Sequence, residues 1–200
     1  MSPHVHNLKG ERWALNTARS PSPRDPLRRG PHGGLVLFVC TGNTCRSPMA
    51  EALFRAAVPP DSSWRAASAG LAAEEGKPMS APARVVLAEM AGCVDFADHR
   101  SQPVTGKLVA DARMIVVMTG AHARQLTARF PEARDKLALL RAFDSAAPAY
   151  CDLDDPFLGS PDAYRACRDH IRAALPGLIR YLTEGGGSCL PSSAIHQETP

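Results

Sequence analysis

Two cysteines and one arginine lie within seven residues of one another in the segment "LVLFVCTGNTCRSPMAEALF" (35–54). Cys40 ends an apolar run, and Arg46 comes just before a stretch that can form a helix. The residues between them are small or polar: Thr41, Gly42, Asn43, Thr44 and Cys45. Small residues let a loop curl until successive N–H groups point at one anion, and a helix N-terminus adds further amides. The spacing therefore predicts a loop that binds a phosphate-like oxyanion.

Cys40 and Arg46 are residue types with complementary roles in such a loop. The amides, the helix terminus and Arg46 should stabilise Cys40 as a thiolate, which is the nucleophilic form of cysteine. A guanidinium can hold two phosphoryl oxygens at once and stabilise charge as the group transfers. Ser47 could donate to the thiolate and steady it as a leaving group. A nucleophile inside an anion site predicts a covalent phosphocysteine intermediate.

The cysteine pattern favours neither a disulfide framework nor a zinc site. The six cysteines stand at 40, 45, 93, 151, 167 and 189. The N-terminus has no apolar secretory segment, so we expect reduced thiols. The chain has no C-x-x-C pair and no nearby histidine at ligand spacing. The nucleotide-binding pattern GxxxxGK[ST] is also missing from the loop, because its lysine and second glycine are absent.

A phosphocysteine mechanism also needs a general acid for the leaving group, which then becomes the base for water. The loop contains none, and the candidates are the carboxylates of "CDLDDPFLGS" (151–160), namely Asp152, Asp154 and Asp155. We select Asp155 because Pro156 fixes the backbone beside it and Phe157 could form a pocket wall. Spacing alone does not exclude Asp154.

Each of these motifs has a simpler explanation. A single Cys-x5-Arg arises by chance in many proteins. A lone cysteine is usually a small buried core residue, and Asp-Pro usually marks only a turn. Their conjunction with a buried strand and a helix start favours the catalytic interpretation. We interpret the other four cysteines outside the loop as mostly structural. His99, His122 and His170 are expected to be surface or hydrogen-bonded polar residues rather than catalysts.

Apolar strands alternate with amphipathic helices along the chain, which predicts an α/β fold with a four-stranded parallel sheet and helices on both faces. The predicted strands are 35–39, 64–70, 113–119 and 136–140, and the predicted helices are 48–57, 81–91, 103–110, 120–130 and 161–182. Ser80, Thr119 and Ser160 are the expected helix caps, with Gly92 after the second helix and Glu51 near the positive end of the first. Pro176 should kink or divide the last helix. In parallel sheets ligands bind at the carboxyl ends of strands, where the Cys40 loop lies.

Composition and charge indicate one domain flanked by two tails. The chain has 200 residues, 44% of them hydrophobic and 22% charged, which is typical of a globular protein. Residues 1–34 hold six Lys/Arg and two Asp/Glu, leaving seventeen and eighteen for the rest, so the body is near neutral and nucleic-acid binding is not expected. We expect a disordered extension at 1–34, a catalytic domain at 35–182 and a flexible tail at 183–200. A cytoplasmic protein without a membrane span is predicted.

The quoted motifs resemble those of the low-molecular-weight protein tyrosine phosphatases. "VCTGNTCRSPMAE" is similar to the phosphate loop of that family, and "DDPF" to its general-acid segment. Between them, "SAG" (68–70), "DHRSQPVT" (98–105) and "IVVMT" (115–119) occur in family-like order. The resemblance covers roughly residues 35–182 and excludes both tails.

This resemblance implies a role for each loop residue. Cys40 would be the nucleophile, Arg46 the phosphate clamp and Asp155 the acid/base, with no metal or cofactor. Cys45 would trap an oxidised Cys40 as a reversible disulfide. The segment Thr41–Ser47 would bind the phosphate, and Asn43, Ser47 and Ser68 would support the loop through hydrogen bonds. Phosphorylated proteins would be the substrates of an enzyme that we expect to be a monomer.

Thr44 bears on the substrate, because tyrosine-directed members often have a bulky aliphatic residue there that packs on the phenyl ring. The chain resembles the bacterial protein-arginine-phosphatase branch more closely, with Thr in "CTGNTCRSP" and one aromatic in "DPF" before "GS". A small polar threonine suits a slim guanidinium. Leu158 departs from the glycine expected after Phe157. We therefore predict phosphoarginine as the substrate, with phosphotyrosine as the alternative.

Two further interpretations remain as alternatives. An arsenate reductase would need another redox pair of cysteines on a mobile segment, but "GAHARQ" after "VVMT" has no cysteine, and Cys93 and Cys151 stand alone. A non-enzymatic phosphate-binding module is expected to have lost its nucleophile or its acid, and this sequence has kept both.

Overall fold

A four-stranded parallel sheet forms the centre of the structure, a computed structural model that describes residues 33–90, 96–148 and 151–184. The strands are β1 (Gly34–Cys40), β2 (Trp64–Gly70), β3 (Ala112–Val117) and β4 (Leu137–Leu139). They lie in the order β2-β1-β3-β4, and every neighbouring pair is parallel. The helices are α1 (Arg46–Ala57), α2 (Ala81–Ala88), α3 (Gly106–Asp111), α4 (Gly120–Arg129) and α5 (Pro161–Thr183). Two short 3-10 helices, Pro131–Lys136 and Leu140–Phe143, flank β4.

β1 is buried on both faces, and its side chains alternate between two hydrophobic clusters. Val36 and Phe38 belong to the cluster that includes residues of α1, α2 and α5. Leu37 and Val39 belong to the opposite cluster, to which α3 and α4 contribute. Because successive side chains of a strand point to opposite faces, a continuous apolar run requires cover on both sides. The predicted fold class, a four-stranded parallel sheet with helices on both faces, is confirmed.

The first helix begins two residues earlier than predicted, at Arg46. Pro48 therefore occupies the third helical position, which is permitted because the first four N–H groups of a helix have no partner within it. Glu51 consequently lies in the second turn, and no acidic residue occupies the first turn. The expected interaction of Glu51 with the positive end of the helix dipole is wrong, because this interaction falls off within one turn.

The cap predictions had different outcomes. Thr119 accepts a hydrogen bond from the N–H of His122, and Ser160 accepts one from the N–H of Ala163, so both predicted caps are confirmed. Ser80 immediately precedes α2, but its side chain makes no cap hydrogen bond. Pro82, at the second helical position, has no N–H to offer. α2 also ends earlier than predicted, at Ala88, and the predicted stop at Gly92 lies outside the described residues.

The helix predicted at 103–110 forms only from Gly106, where Thr105 caps α3. The preceding residues are extended instead, because Gly70 at the end of β2 exchanges backbone hydrogen bonds with Gln102 and Val104. β4 is shorter than predicted, since the residues on either side of it belong to 3-10 helices.

α5 continues through Pro176 without division. Leu175 before the proline and Leu178 after it are both buried in the same cluster. Gly177 passes so close to the backbone of Phe143 that an added Cβ would clash with its carbonyl oxygen. Continuous packing on both sides of the proline therefore offsets the lost helical hydrogen bond, and the expected division is wrong.

The predicted extension at 1–34 and tail at 183–200 lie almost wholly outside the described residues, as do Cys93 and Cys189. The domain limits and the monomeric state therefore stay predictions. None of the helices in the described ranges is both long and apolar enough to cross a membrane.

Candidate functional site

The loop from Thr41 to Cys45 joins the carboxyl end of β1 to the N-terminus of α1. It lies against the end of β2, where Gly70 lets the two segments come very close together. A Cβ at Gly70 would stand 2.5 Å from the carbonyl oxygen of Thr41 and 2.9 Å from the amide nitrogen of Asn43. The glycine of the "SAG" segment is therefore required by contact with the loop.

Four carbonyl groups, that of Cys40 at the end of β1 and three in the loop, accept hydrogen bonds from other segments. The carbonyls of Cys40 and Thr41 accept from the N–H groups of Leu71 and Ala72, each at 2.9 Å. The carbonyl of Thr44 accepts from the N–H of Ser80, also at 2.9 Å. The carbonyl of Asn43 accepts from Nε2 of His99 at 2.8 Å, which makes that nitrogen the donor.

A trans peptide unit points its N–H opposite to its C=O. The carbonyls of Cys40, Thr41, Asn43 and Thr44 point away from the loop. The N–H group of the residue that follows each of them therefore points towards the inside of the loop. These four N–H groups belong to Thr41, Gly42, Thr44 and Cys45. Together with the N-terminus of α1, they give the loop the converging donors that an oxyanion needs.

Asn43 holds the loop in shape through its side chain. Its φ of 55° is in the left-handed region, which asparagine tolerates better than most residues. Oδ1 accepts a hydrogen bond from the backbone N–H of Gln102 at 2.9 Å, which fixes the orientation of the amide. Nδ2 then donates to the hydroxyls of Ser47 and Ser68, each at 2.9 Å. The structure thus brings together the three residues expected to support the loop.

Cys40 lies at the base of the loop and is only 3% exposed. Its Sγ is 3.0 Å from Oγ of Ser47 and accepts a hydrogen bond from the N–H of Asn43 at 3.3 Å. Oγ of Ser47 accepts from Asn43, and its single proton can point to the sulfur or to the carbonyl of Ala69, 3.4 Å away. A thiolate would attract this proton, because a charged acceptor makes the stronger hydrogen bond. Both donors would stabilise negative charge on the sulfur.

Arg46 reaches from the first turn of α1 to the loop that contains the candidate acids. Its Nη2 is 2.5 Å from Oδ2 of Asp155, and its Nη1 donates to the carbonyl of Leu153 at 3.3 Å. Asp152 instead accepts from the N–H of Gly120 at the start of α4, and Asp154 is exposed. Among the three candidate carboxylates, Asp155 is the one in contact with Arg46.

Cys45 points away from the loop interior towards α2 and α5. Its Sγ donates to Oγ of Ser80 at 3.2 Å and lies 3.6 Å from the hydroxyl of Tyr164. Burial, followed by the hydrogen bond with Cys45, raises the pKa of Tyr164 to about 12. Cys40 and Cys45 are both free thiols in the structure.

Glu51 is a buried carboxylate behind the loop that sequence reasoning did not assign to the site. Ser68 donates its hydroxyl proton to Oε2 at 2.6 Å, and Arg55 contacts Oε1 at 2.5 Å. Burial raises the pKa of Glu51, while Arg55 and Ser68 act in the opposite direction. A carboxylate that accepts from Ser68 leaves the oxygen of Ser68 free to accept from Asn43.

Three other residues of the site were not predicted to contact the loop: His99, Gln102 and His122. They lie 56, 59 and 81 residues along the chain from their loop partners. His99 and Gln102 are in the segment "DHRSQPVT", whose family-like order was the available signal. Cys167 is buried in the core, and burial raises its pKa to about 12, which agrees with the prediction of a structural role.

His122 is buried near the N-terminus of α4, and its Nε2 is 2.9 Å from Oγ1 of Thr41. Its Nδ1 has no hydrogen-bond partner among the described residues. Burial, and then the positive charge of Arg46, lowers the pKa of His122 to about 4. The imidazole is therefore neutral at physiological pH, so it adds no charge to the loop.

The depressed pKa of His122 predicts a loss of stability in acid. Between about pH 6.5 and pH 4 the unfolded chain takes up a proton that the folded chain excludes, so stability falls as pH decreases through this window. This residue should contribute up to about 1.4 kcal/mol per pH unit there. Urea unfolding at pH 7 and pH 5 should show a smaller acid loss for His122→Gln than for wild type. Equal losses in the two proteins would contradict this assignment, because His99 and the carboxylates are common to both.

A tight turn follows Asp155 and contains an unusual leucine. The N–H of Gly159 donates to the carbonyl of Pro156 at 2.8 Å, and Leu158, the third residue of the turn, has a φ of +62°. A positive φ at that position is the mark of a type II turn, which favours glycine or asparagine. For leucine it costs about 1–2 kcal/mol. Phe157, which was expected to form a pocket wall, and Leu158 are 62% and 88% exposed, and the N–H of Phe157 donates to Asp155.

Comparison with known proteins gives matches to one family of phosphatases. The family model described as "Low molecular weight phosphotyrosine protein phosphatase" matches residues 35–186. A protein-arginine-phosphatase of Geobacillus stearothermophilus is 40% identical over 147 residues, covering 74% of this chain and 95% of the relative. A low molecular weight protein-tyrosine-phosphatase of Streptomyces coelicolor is 36% identical over 156 residues, covering 74% and 93%. The solved YwlE arginine phosphatase from Geobacillus stearothermophilus superposes with a TM-score of 0.67 at 39% identity, covering 75% of this chain and 93% of that one.

Proposed function

Since this chain belongs to the low-molecular-weight phosphotyrosine protein phosphatase family, and is a cysteine-dependent protein phosphatase, we propose that it hydrolyses phosphoarginine in proteins. The observation that supports the reaction is the assembly of Cys40, Arg46 and Asp155 around inward-facing amides. The observation that favours arginine over tyrosine is Thr44, a small polar residue in the loop.

In the first step the thiolate of Cys40 attacks phosphorus, and the bond from phosphorus to the guanidinium nitrogen of the substrate breaks. The loop amides and Arg46 bind the three non-bridging oxygens and stabilise the charge that they carry during transfer. Asp155, in its protonated form, delivers its proton to the departing nitrogen. The products of this step are a free arginine side chain and phosphocysteine.

In the second step a water molecule attacks the phosphocysteine. Asp155, now a carboxylate, takes a proton from the water, and the sulfur of Cys40 leaves with the electron pair of the broken bond. The hydroxyl of Ser47, 3.0 Å from that sulfur, stabilises the thiolate as it forms. Inorganic phosphate is released, and the acid is again protonated for the next cycle.

Identity to relatives does not separate the two candidate substrates. The arginine phosphatases from Geobacillus stearothermophilus and Bacillus subtilis are 40% and 34% identical to this chain. A probable tyrosine phosphatase of Ralstonia solanacearum is 40% identical over a shorter range, and the one from Streptomyces coelicolor is 36% identical. The second candidate function is therefore phosphotyrosine hydrolysis by the same residues. Specificity has to be judged from the side chains around the loop.

Thr44 is partly exposed on the loop, and its hydroxyl is 3.8 Å from Sγ of Cys45. A threonine offers less apolar surface to a flat phenyl ring than isoleucine would, and it leaves more room for a guanidinium. Added apolar contact in a binding pocket changes discrimination by about 10- to 200-fold per methylene-sized group. A single substitution at this position should therefore shift the preference measurably.

Thr44→Ile should raise the ratio of kcat/KM for phosphotyrosine over phosphoarginine about tenfold or more, because the larger side chain packs on the phenyl ring. The measurement is kcat/KM on two peptides that differ only in the phosphorylated residue. Thr44→Ser is the matched control, since it keeps a small hydroxyl side chain and should preserve the wild-type preference. An unchanged ratio in Thr44→Ile, or a wild-type enzyme that strongly prefers phosphotyrosine, would overturn the proposed specificity.

A further inference from the structure

Leu158 combines backbone strain with almost complete exposure. The third position of its type II turn favours glycine, yet a leucine stands there with φ +62°. The residue is 88% exposed, so packing within the described residues does not offset the strain. Neither the conformation of the turn nor the stability of the fold accounts for an aliphatic residue at this position.

Leu158 is also next to another exposed apolar side chain. The large hydrophobic residues that are exposed in the described part of the chain are Val85, Phe157 and Leu158, and two of the three are consecutive. Isolated exposed apolar residues are normal on a protein surface, so the informative feature is that Phe157 and Leu158 are adjacent to each other and to Asp155. We call Phe157 and Leu158 the apolar rim.

The apolar rim is continuous with the proposed catalytic residues. Oδ1 of Asp155 accepts a hydrogen bond from the N–H of Phe157 at 3.2 Å, and Oδ2 of the same carboxylate contacts Arg46. Cys40 and Arg46 are 3% and 4% exposed, so a phosphorylated side chain must enter from the rim while the rest of the polypeptide stays outside. The residues that flank the phosphorylated one therefore meet the surface around Asp155.

We propose that Leu158, together with Phe157, binds an apolar side chain that flanks the phosphorylated residue in the substrate protein. Leu158 is thus a specificity-determining residue, retained for substrate contact despite its backbone strain. This inference depends on the proposed function only in that the substrate is a phosphorylated protein, and it holds for phosphoarginine and phosphotyrosine alike. Strain that persists at the edge of an active site is a common sign of such a role.

The test compares two peptides in which the residues on both sides of the phosphorylated one are either leucine or serine. Each peptide is made with phosphoarginine and with phosphotyrosine, and the readout is the leucine-to-serine ratio of kcat/KM. Burial of a few tens of Å² of apolar surface predicts a wild-type ratio of about five- to tenfold. Leu158→Gly and Leu158→Asn should both reduce this ratio to near one. Leu158→Met, which keeps an apolar side chain, should preserve it.

Thermal unfolding supplies an independent readout in the same variants. Leu158→Gly should raise Tm by about 2–3 °C, because relief of the positive φ exceeds the entropy lost with glycine. Leu158→Asn should behave similarly, since asparagine tolerates this conformation, and Leu158→Met should not change Tm. A stable variant with lost discrimination identifies substrate contact rather than structural support.

Several outcomes would overturn the proposal. A wild-type ratio near one, or an unchanged ratio in Leu158→Gly, means that the apolar rim does not contact the flanking residues. Equal losses of kcat on both peptides would mean that Leu158 acts only through the position of Asp155. A wild-type dimer in sedimentation velocity that Leu158→Gly dissociates would assign the surface to self-association. Failure of the arginine preference leaves this test intact, because the phosphotyrosine pair still reports the ratio.

Discussion

Cys40→Ser is expected to reduce hydrolysis of phosphopeptides and of aryl phosphates by at least about 10³-fold, because a serine hydroxyl is a poor nucleophile without a base to activate it. The oxygen would stand in the position of a sulfur that accepts from Asn43 and contacts Ser47, and neither of these neighbours can remove its proton efficiently. Turnover is measured as phosphate release, with the limit of detection set by a reaction without enzyme.

The same variant should still bind inorganic phosphate. The inward N–H groups and the guanidinium of Arg46 do not depend on the sulfur, so calorimetry should detect phosphate binding by Cys40→Ser. The matched control is Cys151→Ser, which changes a partly buried free thiol outside the loop and should leave turnover near the wild-type value. Substantial turnover by Cys40→Ser would exclude the phosphocysteine mechanism. Loss of phosphate binding would instead indicate that the loop had collapsed.

The parts of the site that could be predicted from the sequence are those whose residues are close together along the chain. Cys40, Arg46 and Ser47 lie on one strand–loop–helix segment, so their proximity follows from local geometry. The centre of the sheet was predictable for the same reason, because β1 and β3 contain short apolar runs and a helix follows each of them. The contact of Asp155 with Arg46 spans 109 residues, and it was anticipated from chemical need and family resemblance rather than from any pattern.

The polar residues of distant segments that hydrogen-bond to the loop could not be recognised from a sequence pattern. His99, Gln102 and His122 reach the loop through single hydrogen bonds, and single polar residues produce no periodicity. Glu51 shows how a local rule can mislead, since a glutamate near a helix start suggests a dipole interaction. Its side chain is instead buried between Arg55 and Ser68, because the helix begins earlier and the loop behind it needs an acceptor. Tertiary contacts also override the helix-breaking tendency of Pro176.

Asp155→Asn should lower kcat on phosphopeptides by about 10²- to 10⁴-fold, the usual contribution of a general acid, because asparagine cannot deliver a proton to the leaving group. The loss should be smaller for p-nitrophenyl phosphate, whose acidic phenol departs with little protonation. Asp154→Asn is the matched control. Both carboxylates are exposed, but of the two it is Asp155 that contacts Arg46, so Asp154→Asn should retain near wild-type turnover on both substrates.

This pair of substitutions distinguishes the loss of a proton donor from a general electrostatic effect on substrate binding. Asp154→Asn removes a negative charge from the same loop, so a general electrostatic effect on substrate binding would appear as a change of KM in that variant. A missing proton donor instead lowers kcat in Asp155→Asn alone and makes the rate depend steeply on the basicity of the leaving group. Thermal unfolding of both variants checks that the loss of the Arg46 contact has not unfolded the loop. A larger loss in Asp154→Asn than in Asp155→Asn would transfer the acid role to Asp154. Equal and small losses would mean that the leaving group takes its proton from water.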